Sequence, residues 1–166
     1  MGSINLSGKS LNDEGCLRHI ESQFREFDIP PEKICFEITE TEAIANLTKA
    51  THFIAQLKDL GCNFALDDFG SGMSSFAYLK NLPVDYLKIA GAFVQNIAGN
   101  RTDDAMVDAI NHVGHVMGIM TIAEHVESPV ILERLRELGI DFAQGFAIHR
   151  PAPMTEYRVG REPDLV

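Results

Sequence analysis

The sequence predicts an α/β fold, an incomplete (β/α) TIM-like barrel of about six strands and five helices. Two observations support it: short apolar strand segments alternate with amphipathic helical segments, and a polar residue stands near the C-terminal end of each strand segment. Alternation alone fits a doubly wound parallel sheet equally well. The polar residues favour a barrel because its strand ends converge on one face. A complete barrel has eight strands and about 250 residues, so 166 residues predict an incomplete one.

Six segments are predicted to be strands because each is a short apolar run bounded by turn residues. They cover residues 4–7, 34–38, 63–66, 86–90, 119–124 and 141–145. The third segment runs directly into Asp67 and Asp68, and the turn Gly70-Ser71-Gly72 follows. This stretch alone leaves two alternatives open. The acidic pair either begins a turn and caps the next helix, or it belongs to a polar site.

Helices are predicted from apolar residues three and four positions apart and from capping signals. Thr39 and Glu42 have the spacing of a capping box, and Gly61 ends the helix that begins there. Ser128 followed by Pro129 begins the last helix, which ends at Gly139. The predicted helices cover roughly residues 12–27, 39–61, 73–80, 103–117 and 128–139.

Composition limits the classes of partner and the compartment. A net charge of −10 argues against binding a nucleic-acid polymer, although a small phosphodiester can bind if divalent cations bridge it to carboxylates. No apolar run reaches the length of a membrane span. Three cysteines without C-x-x-C spacing, and no secretion signal, predict reduced thiols in the cytoplasm. We expect residues 1–3 to be vector-derived, 4–153 to form one domain and 154–166 to be a tail.

Six motifs, taken together, resemble the EAL domain family. They are Ile4-Asn5-Leu6-Ser7, Glu37-Ile38-Thr39-Glu40, Asp67-Asp68-Phe69-Gly70-Ser71-Gly72, Leu82-Pro83-Val84-Asp85-Tyr86-Leu87-Lys88-Ile89, Ala123-Glu124-His125-Val126-Glu127 and Gln144-Gly145-Phe146. EAL domains are bacterial (β/α) barrels whose active members hydrolyse cyclic di-GMP to the linear dinucleotide with Mg²⁺ or Mn²⁺. The resemblance covers about residues 4–153 and implies this reaction, these cofactors and cyclic di-GMP as the partner.

The resemblance also implies a role for each matching residue. The implied metal ligands are Asn5, Glu37, Asp67 and Glu124, with Asp68 at a second metal. The implied catalytic residues are Lys88, which positions the attacking water, Gln144, which orients water or phosphate, and Glu40, which steadies the loop after the acidic pair. The implied substrate contacts are Phe69, Gly70, Ser71 and Gly72.

The residues themselves leave a structural alternative open for several of these positions. Asn5 also fits an Asx turn, and Glu40 fits a first-turn acid at a helix N-terminus. Lys88 also fits a strand-end lysine whose ammonium reaches solvent, and Gln144 fits a turn residue before glycine.

The sequence departs from the family pattern in two places. The Glu-Ala-Leu signature strand, whose glutamate binds metal in active relatives, is absent, since Glu42-Ala43-Ile44 begins a helix instead. Ala90 stands where active relatives have an aspartate. These departures predict impaired hydrolysis in an N-terminally truncated domain. The alternatives are an inactive module that binds cyclic di-GMP and a structural fragment that oligomerises. Open barrel edges predict a homo-oligomer, most simply a dimer.

Overall fold

The structure is a computed structural model that describes residues 1–72 and 76–153, except for the side chain of Glu14. The chain forms two compact units, the first ending at Leu87 and the second beginning at Lys88. No helix in the described part of the chain is long and apolar enough to cross a membrane.

The first unit holds three strands that pair in parallel, β1 (Gly2–Asn5) with β2 (Ile34–Thr39) and β2 with β3 (Asn63–Phe69). Helices connect them, and α3 (Leu47–Asp59) packs against β3. Short 3₁₀ turns lie at Ser10–Asn12, Pro31–Lys33 and Leu79–Asn81. The regular elements are β1 (Gly2–Asn5), α1 (Glu14–Glu26), β2 (Ile34–Thr39), α2 (Glu40–Ala45), α3 (Leu47–Asp59) and β3 (Asn63–Phe69).

The second unit begins within β4 (Tyr86–Ile89). The elements that follow are α4 (Gly91–Val94), α5 (Arg101–Val116), β5 (Met120–Ala123), α6 (Pro129–Leu138) and β6 (Phe142–Ala143). Strands β5 and β6 pair in parallel, with Ala123 opposite Ala143. The backbone N–H of Glu124 donates to the carbonyl of Ile89 at 3.4 Å.

In the middle of strands β2 and β3, one face is apolar and the other carries both polar and small apolar side chains. Phe36 is in register with Phe64, their rings lie 5.6 Å apart, and Ile38 is in register with Leu66. All four of these side chains are fully buried. Because successive strand residues point to opposite faces, the residues between them, such as Glu37, point to the other face. The apolar face therefore anchors the strands and leaves the other face for polar groups.

The predicted strands and helix caps agree largely with the structure. All six strands are present, and Thr39, Ser128 and Gly139 cap helices as predicted. The predicted helix 39–61 is interrupted at Asn46, whose backbone leaves the helical region and whose side chain accepts from the N–H of Lys49. That break gives separate helices α2 and α3.

Other boundaries differ. The helix predicted over 73–80 is wrong where it can be compared: 73–75 lie outside the described residues, 76–78 form a turn, and a 3₁₀ turn follows. The last strand is only two residues long, and α4 was not predicted. Strand β1 includes Gly2 and Ser3, two of the residues expected to be vector-derived. The predicted tail lies outside the described residues.

Candidate functional site

Three predicted ligands of the first unit lie on one face of its sheet. Asn5 is in register with Glu37, and Asp67 is in register with Thr39, two residues after Glu37. Register partners on parallel strands point to the same face, and so do residues two apart on one strand. Asn5, Glu37 and Asp67 therefore share the face opposite the buried phenylalanines. Glu37 is buried, Asp67 half-buried and Asn5 exposed.

Asp68 begins a tight turn at the end of β3. Its φ of 54° lies in the left-handed region, which is uncommon for a residue other than glycine. Its carbonyl accepts from the backbone N–H of Ser71 at 3.2 Å and from the hydroxyl of Ser71 at 2.8 Å. Gly70, with φ of 93°, supplies the other left-handed position. The turn directs the chain back towards α2.

Glu40 contacts this turn. It is 2% exposed, although it lies in the first turn of α2. Its Oε2 accepts from the backbone N–H of Gly70 at 3.0 Å, and its Oε1 accepts from the hydroxyl of Tyr78. The contact between Glu40 and the loop, which the resemblance implies, is thus present. A catalytic role for Glu40 stays a prediction.

Burial and the neighbouring Glu40 control the ionisation of Tyr78. Burial of the phenol, its hydrogen bond to Glu40 and the negative charge of that carboxylate all raise the pKa of Tyr78 well above its usual range. The hydroxyl therefore keeps its proton at neutral pH and donates a hydrogen bond to the carboxylate. Sequence reasoning missed Tyr78, because a side chain 38 positions from Glu40 carries no local signal of the contact.

Lys88 and Glu124 form a buried ion pair in the second unit. The Nζ of Lys88 lies 2.8 Å from Oε1 of Glu124, and the two residues are 4% and 9% exposed. The structural alternative for Lys88, a strand-end lysine whose ammonium reaches solvent, is therefore wrong. Each charge offsets part of the desolvation cost that burial imposes on the other.

Ala90 directly follows β4 and occupies the N-cap of α4. It is buried, and no side-chain hydrogen bond caps this helix. His125 follows Glu124 with a φ of 53°. Its ring packs on Gly91, where an added Cβ would lie 2.3 Å from the Cδ2 of His125. Only glycine fits at position 91 without moving the imidazole.

Gln144 is exposed, and two hydrogen bonds of its backbone fix its position. Its N–H donates to the carbonyl of Ala123 at 2.8 Å, and its carbonyl accepts from the N–H of Val126 at 3.0 Å. At the next position, a Cβ on Gly145 would lie 2.3 Å from the backbone N and O of Val126. This close approach requires glycine and sets the direction in which Gln144 leaves the strand.

The donor chemistry of these residues fits a hard divalent cation, which prefers carboxylate and amide oxygens. Asn5, Glu37 and Asp67 supply such oxygens on one face. No group of three or more His, Cys, Asp or Glu side chains that could hold a metal ion occurs among the residues described. The first unit thus presents donors of the right type without a preformed carboxylate cluster.

Comparison with known proteins decides the family. Residues 1–151 match the EAL domain family. The chain belongs to the EAL domain family. The resemblance inferred from the six motifs is thereby confirmed.

Individual relatives agree with this assignment. The chain is 54% identical over 155 residues to cyclic di-GMP phosphodiesterase PdeB of Shewanella oneidensis, covering 93% of this chain and 18% of PdeB. It is 38% identical over 152 residues to cyclic di-GMP phosphodiesterase PdeA of Borreliella burgdorferi, covering 92% of this chain and 23% of PdeA. The chain thus spans about a fifth of the length of these relatives.

Solved structures confirm the predicted fold class, an incomplete TIM-like barrel. The PaMucR phosphodiesterase in complex with c-di-GMP matches with a TM-score of 0.88 and 32% identity, covering 93% of this chain and 62% of that chain. The FimX EAL domain of Pseudomonas aeruginosa bound to c-di-GMP matches with a TM-score of 0.88 and 28% identity, covering 95% and 65%.

The buried pair predicts a large loss of stability in Glu124→Gln. This change leaves the Lys88 ammonium buried beside a neutral amide, so the free energy of unfolding should fall by about 3–5 kcal/mol. Denaturant unfolding followed by circular dichroism measures it. The control is Glu133→Gln, because the exposed Glu133 lies 3.5 Å from Arg136, a surface pair worth little. Equal effects of the two variants would contradict the burial of the pair.

Proposed function

We propose that this chain binds cyclic di-GMP at the carboxyl ends of its strands and hydrolyses one phosphodiester bond to give the linear dinucleotide. The observation that carries the proposal is the burial of Glu37, Lys88 and Glu124 at or next to strand ends in an EAL-family chain. Burying charged groups costs stability, so their placement where barrel enzymes carry their sites favours a function. The named activity of PdeB and the ligand bound to PaMucR support the choice of substrate.

The proposed site holds a divalent cation, Mg²⁺ or Mn²⁺, through carboxylate and amide oxygens. Asn5, Glu37, Asp67 and Glu124 would hold it, and Asp68 would contact a second one. When bound, such a cation neutralises phosphate charge and makes a bound water more acidic. A cation is also what lets a chain with a net charge of −10 accept an anionic ligand.

Lys88 is proposed to position the attacking water. Its ammonium is held by Glu124 at 2.8 Å, so it points in one direction and needs no reorganisation during the reaction. Gln144 would orient water or phosphate from an exposed strand end. Glu40 would act through the loop that it holds, and residues 69–72 of that loop would contact the nucleotide.

One feature of the sequence leads us to propose that turnover is impaired. Ala90 supplies neither a carboxylate nor a cap for α4. Removing one group that acts in the transition state commonly costs orders of magnitude in rate. The alternative function is therefore a module that binds cyclic di-GMP without hydrolysing it, and Ala90 is the observation that favours it.

Hydrolysis is tested by incubating the purified chain with cyclic di-GMP and Mn²⁺ and separating the products by chromatography. We expect linear dinucleotide at a rate at least about a hundredfold above that of Asp67→Ala, which removes a proposed metal ligand. Product at the same rate in both proteins would contradict the assignment of Asp67. No product, together with a melting temperature raised by cyclic di-GMP, would favour the binding module.

Replacing Ala90 by aspartate should increase the rate. The new carboxylate would restore an acidic group two residues after Lys88, and we expect kcat to rise about tenfold or more. Ala92→Asp is the matched control, because it adds the same charge on an exposed face of α4. A kcat that is unchanged in Ala90→Asp, or that rises equally in the control, would show that Ala90 does not limit turnover.

The exposed first strand leads us to propose a homodimer. All four residues of β1 are exposed, including the large apolar side chain of Ile4. Light scattering at micromolar concentration should give twice the mass of one chain, and Ile4→Lys should halve it. Val116→Lys, at an exposed position on α5, should leave the mass unchanged. A monodisperse monomer of the parent chain would contradict the proposal.

A further inference from the structure

Tyr78 lies outside the set of residues that the family resemblance singles out, yet it contacts one of them directly. Its hydroxyl donates to Oε1 of Glu40, while Oε2 of the same carboxylate accepts from the N–H of Gly70. The carboxylate thus joins the phenol to the turn after β3. Each carboxylate oxygen of Glu40 therefore accepts one hydrogen bond, from Tyr78 or from Gly70.

Burial makes both donors necessary. Glu40 is 2% exposed, so water offers little compensation if a donor is lost. Hydrogen bonds to a buried charged acceptor are stronger than neutral ones and fix its direction. Without the phenol, the carboxylate could rotate towards solvent, and Gly70 would lose its acceptor.

The turn depends on these contacts because its backbone is strained. Asp68 adopts a left-handed conformation that costs a residue other than glycine free energy unless the surroundings hold it. Gly70 lies two residues later, and the ring of Phe69 packs 5.6 Å from that of Phe76. Asp68 lies in this turn, and its backbone N–H donates to Oδ1 of Asp67 at 3.1 Å, so the turn bears on the position of both carboxylates.

We propose that Tyr78 is a positioning residue whose hydroxyl acts through Glu40 to hold the 67–72 loop, and with it the carboxylates of Asp67 and Asp68. The order of the loop is a property of the fold alone. Only the consequence for hydrolysis rests on the proposed function.

The order of the loop is measured by hydrogen exchange with mass spectrometry on a peptide spanning residues 67–72. Tyr78→Phe removes only the hydroxyl, and we expect the amide of Gly70 to exchange about tenfold faster. Glu40→Gln, which weakens the same acceptor, should give a similar increase and serves as a second variant if the first folds poorly. Unchanged exchange in both would overturn the proposal.

The control is Thr121→Val, which removes a buried hydroxyl from the second unit. That hydroxyl donates to Oδ1 of Asn111 at 2.6 Å, so its loss should lower the melting temperature without touching the loop. If Thr121→Val speeds exchange of the loop as much as Tyr78→Phe does, the effect is a general loss of stability and the proposal is overturned. Faster exchange confined to the Tyr78 and Glu40 variants supports it.

The activity assay then separates the two proposals. In a parent chain that hydrolyses cyclic di-GMP, Tyr78→Phe should lower kcat about tenfold, and adding Glu40→Gln should cost little more because both act on one contact. Thr121→Val should leave kcat near that of the parent. Additive losses would overturn the proposed route through Glu40. Faster loop exchange in a chain without any hydrolysis would support the positioning role and overturn only the proposed function.

Discussion

A carboxylate buried to 2% exposure needs hydrogen-bond donors, and in the first unit this requirement links the end of β2 to the turn after β3. Glu40 follows β2 directly and binds the turn after β3 through Gly70. Its neighbour Glu42 accepts from the backbone N–H of Gly8 at 2.6 Å, in the segment after β1. The first turn of α2 therefore holds the segments that follow both adjacent strands. The ends that carry Asn5 and Asp67 are tied to the same helical turn.

This arrangement is possible because successive side chains of a strand point to opposite faces. Phe36 and Ile38 are buried on one face, and Glu37 lies between them on the other. The same alternation recurs in β4, where Lys88 lies between the fully buried Leu87 and Ile89. Apolar burial favours the folded state and does not depend on these charges. Burying the charges has an electrostatic cost, which the Lys88 and Glu124 pair offsets locally.

The sequence predicts most of what depends on local pattern. Strand segments, the cap at Thr39 and the glycine stop at Gly139 all follow from spacing within a few residues. The apolar spacing continues across Asn46, so the pattern predicts a single helix there. In the structure the Asn46 side chain caps α3 instead and divides that helix in two. The contact of Tyr78 with Glu40 was missed because it depends on how the chain folds back over 38 positions. The site residues could be named from motifs, but the register that puts Asn5 beside Glu37 needed the structure.

Left-handed backbone conformations occur on both sides of strands in both units. Gly61, Gly118 and Gly139 adopt left-handed conformations before β3, β5 and β6, where the absence of a side chain makes them inexpensive. Asp68 at the end of β3 and His125 just after β5 adopt that conformation with side chains, at roughly 1–3 kcal/mol each. Asp28 adopts the same left-handed conformation before β2, on the amino side of that strand. Asp and His adopt this conformation more readily than most side chains. Both positions can therefore carry a polar side chain at the carboxyl end of a strand, where a turn would otherwise favour glycine.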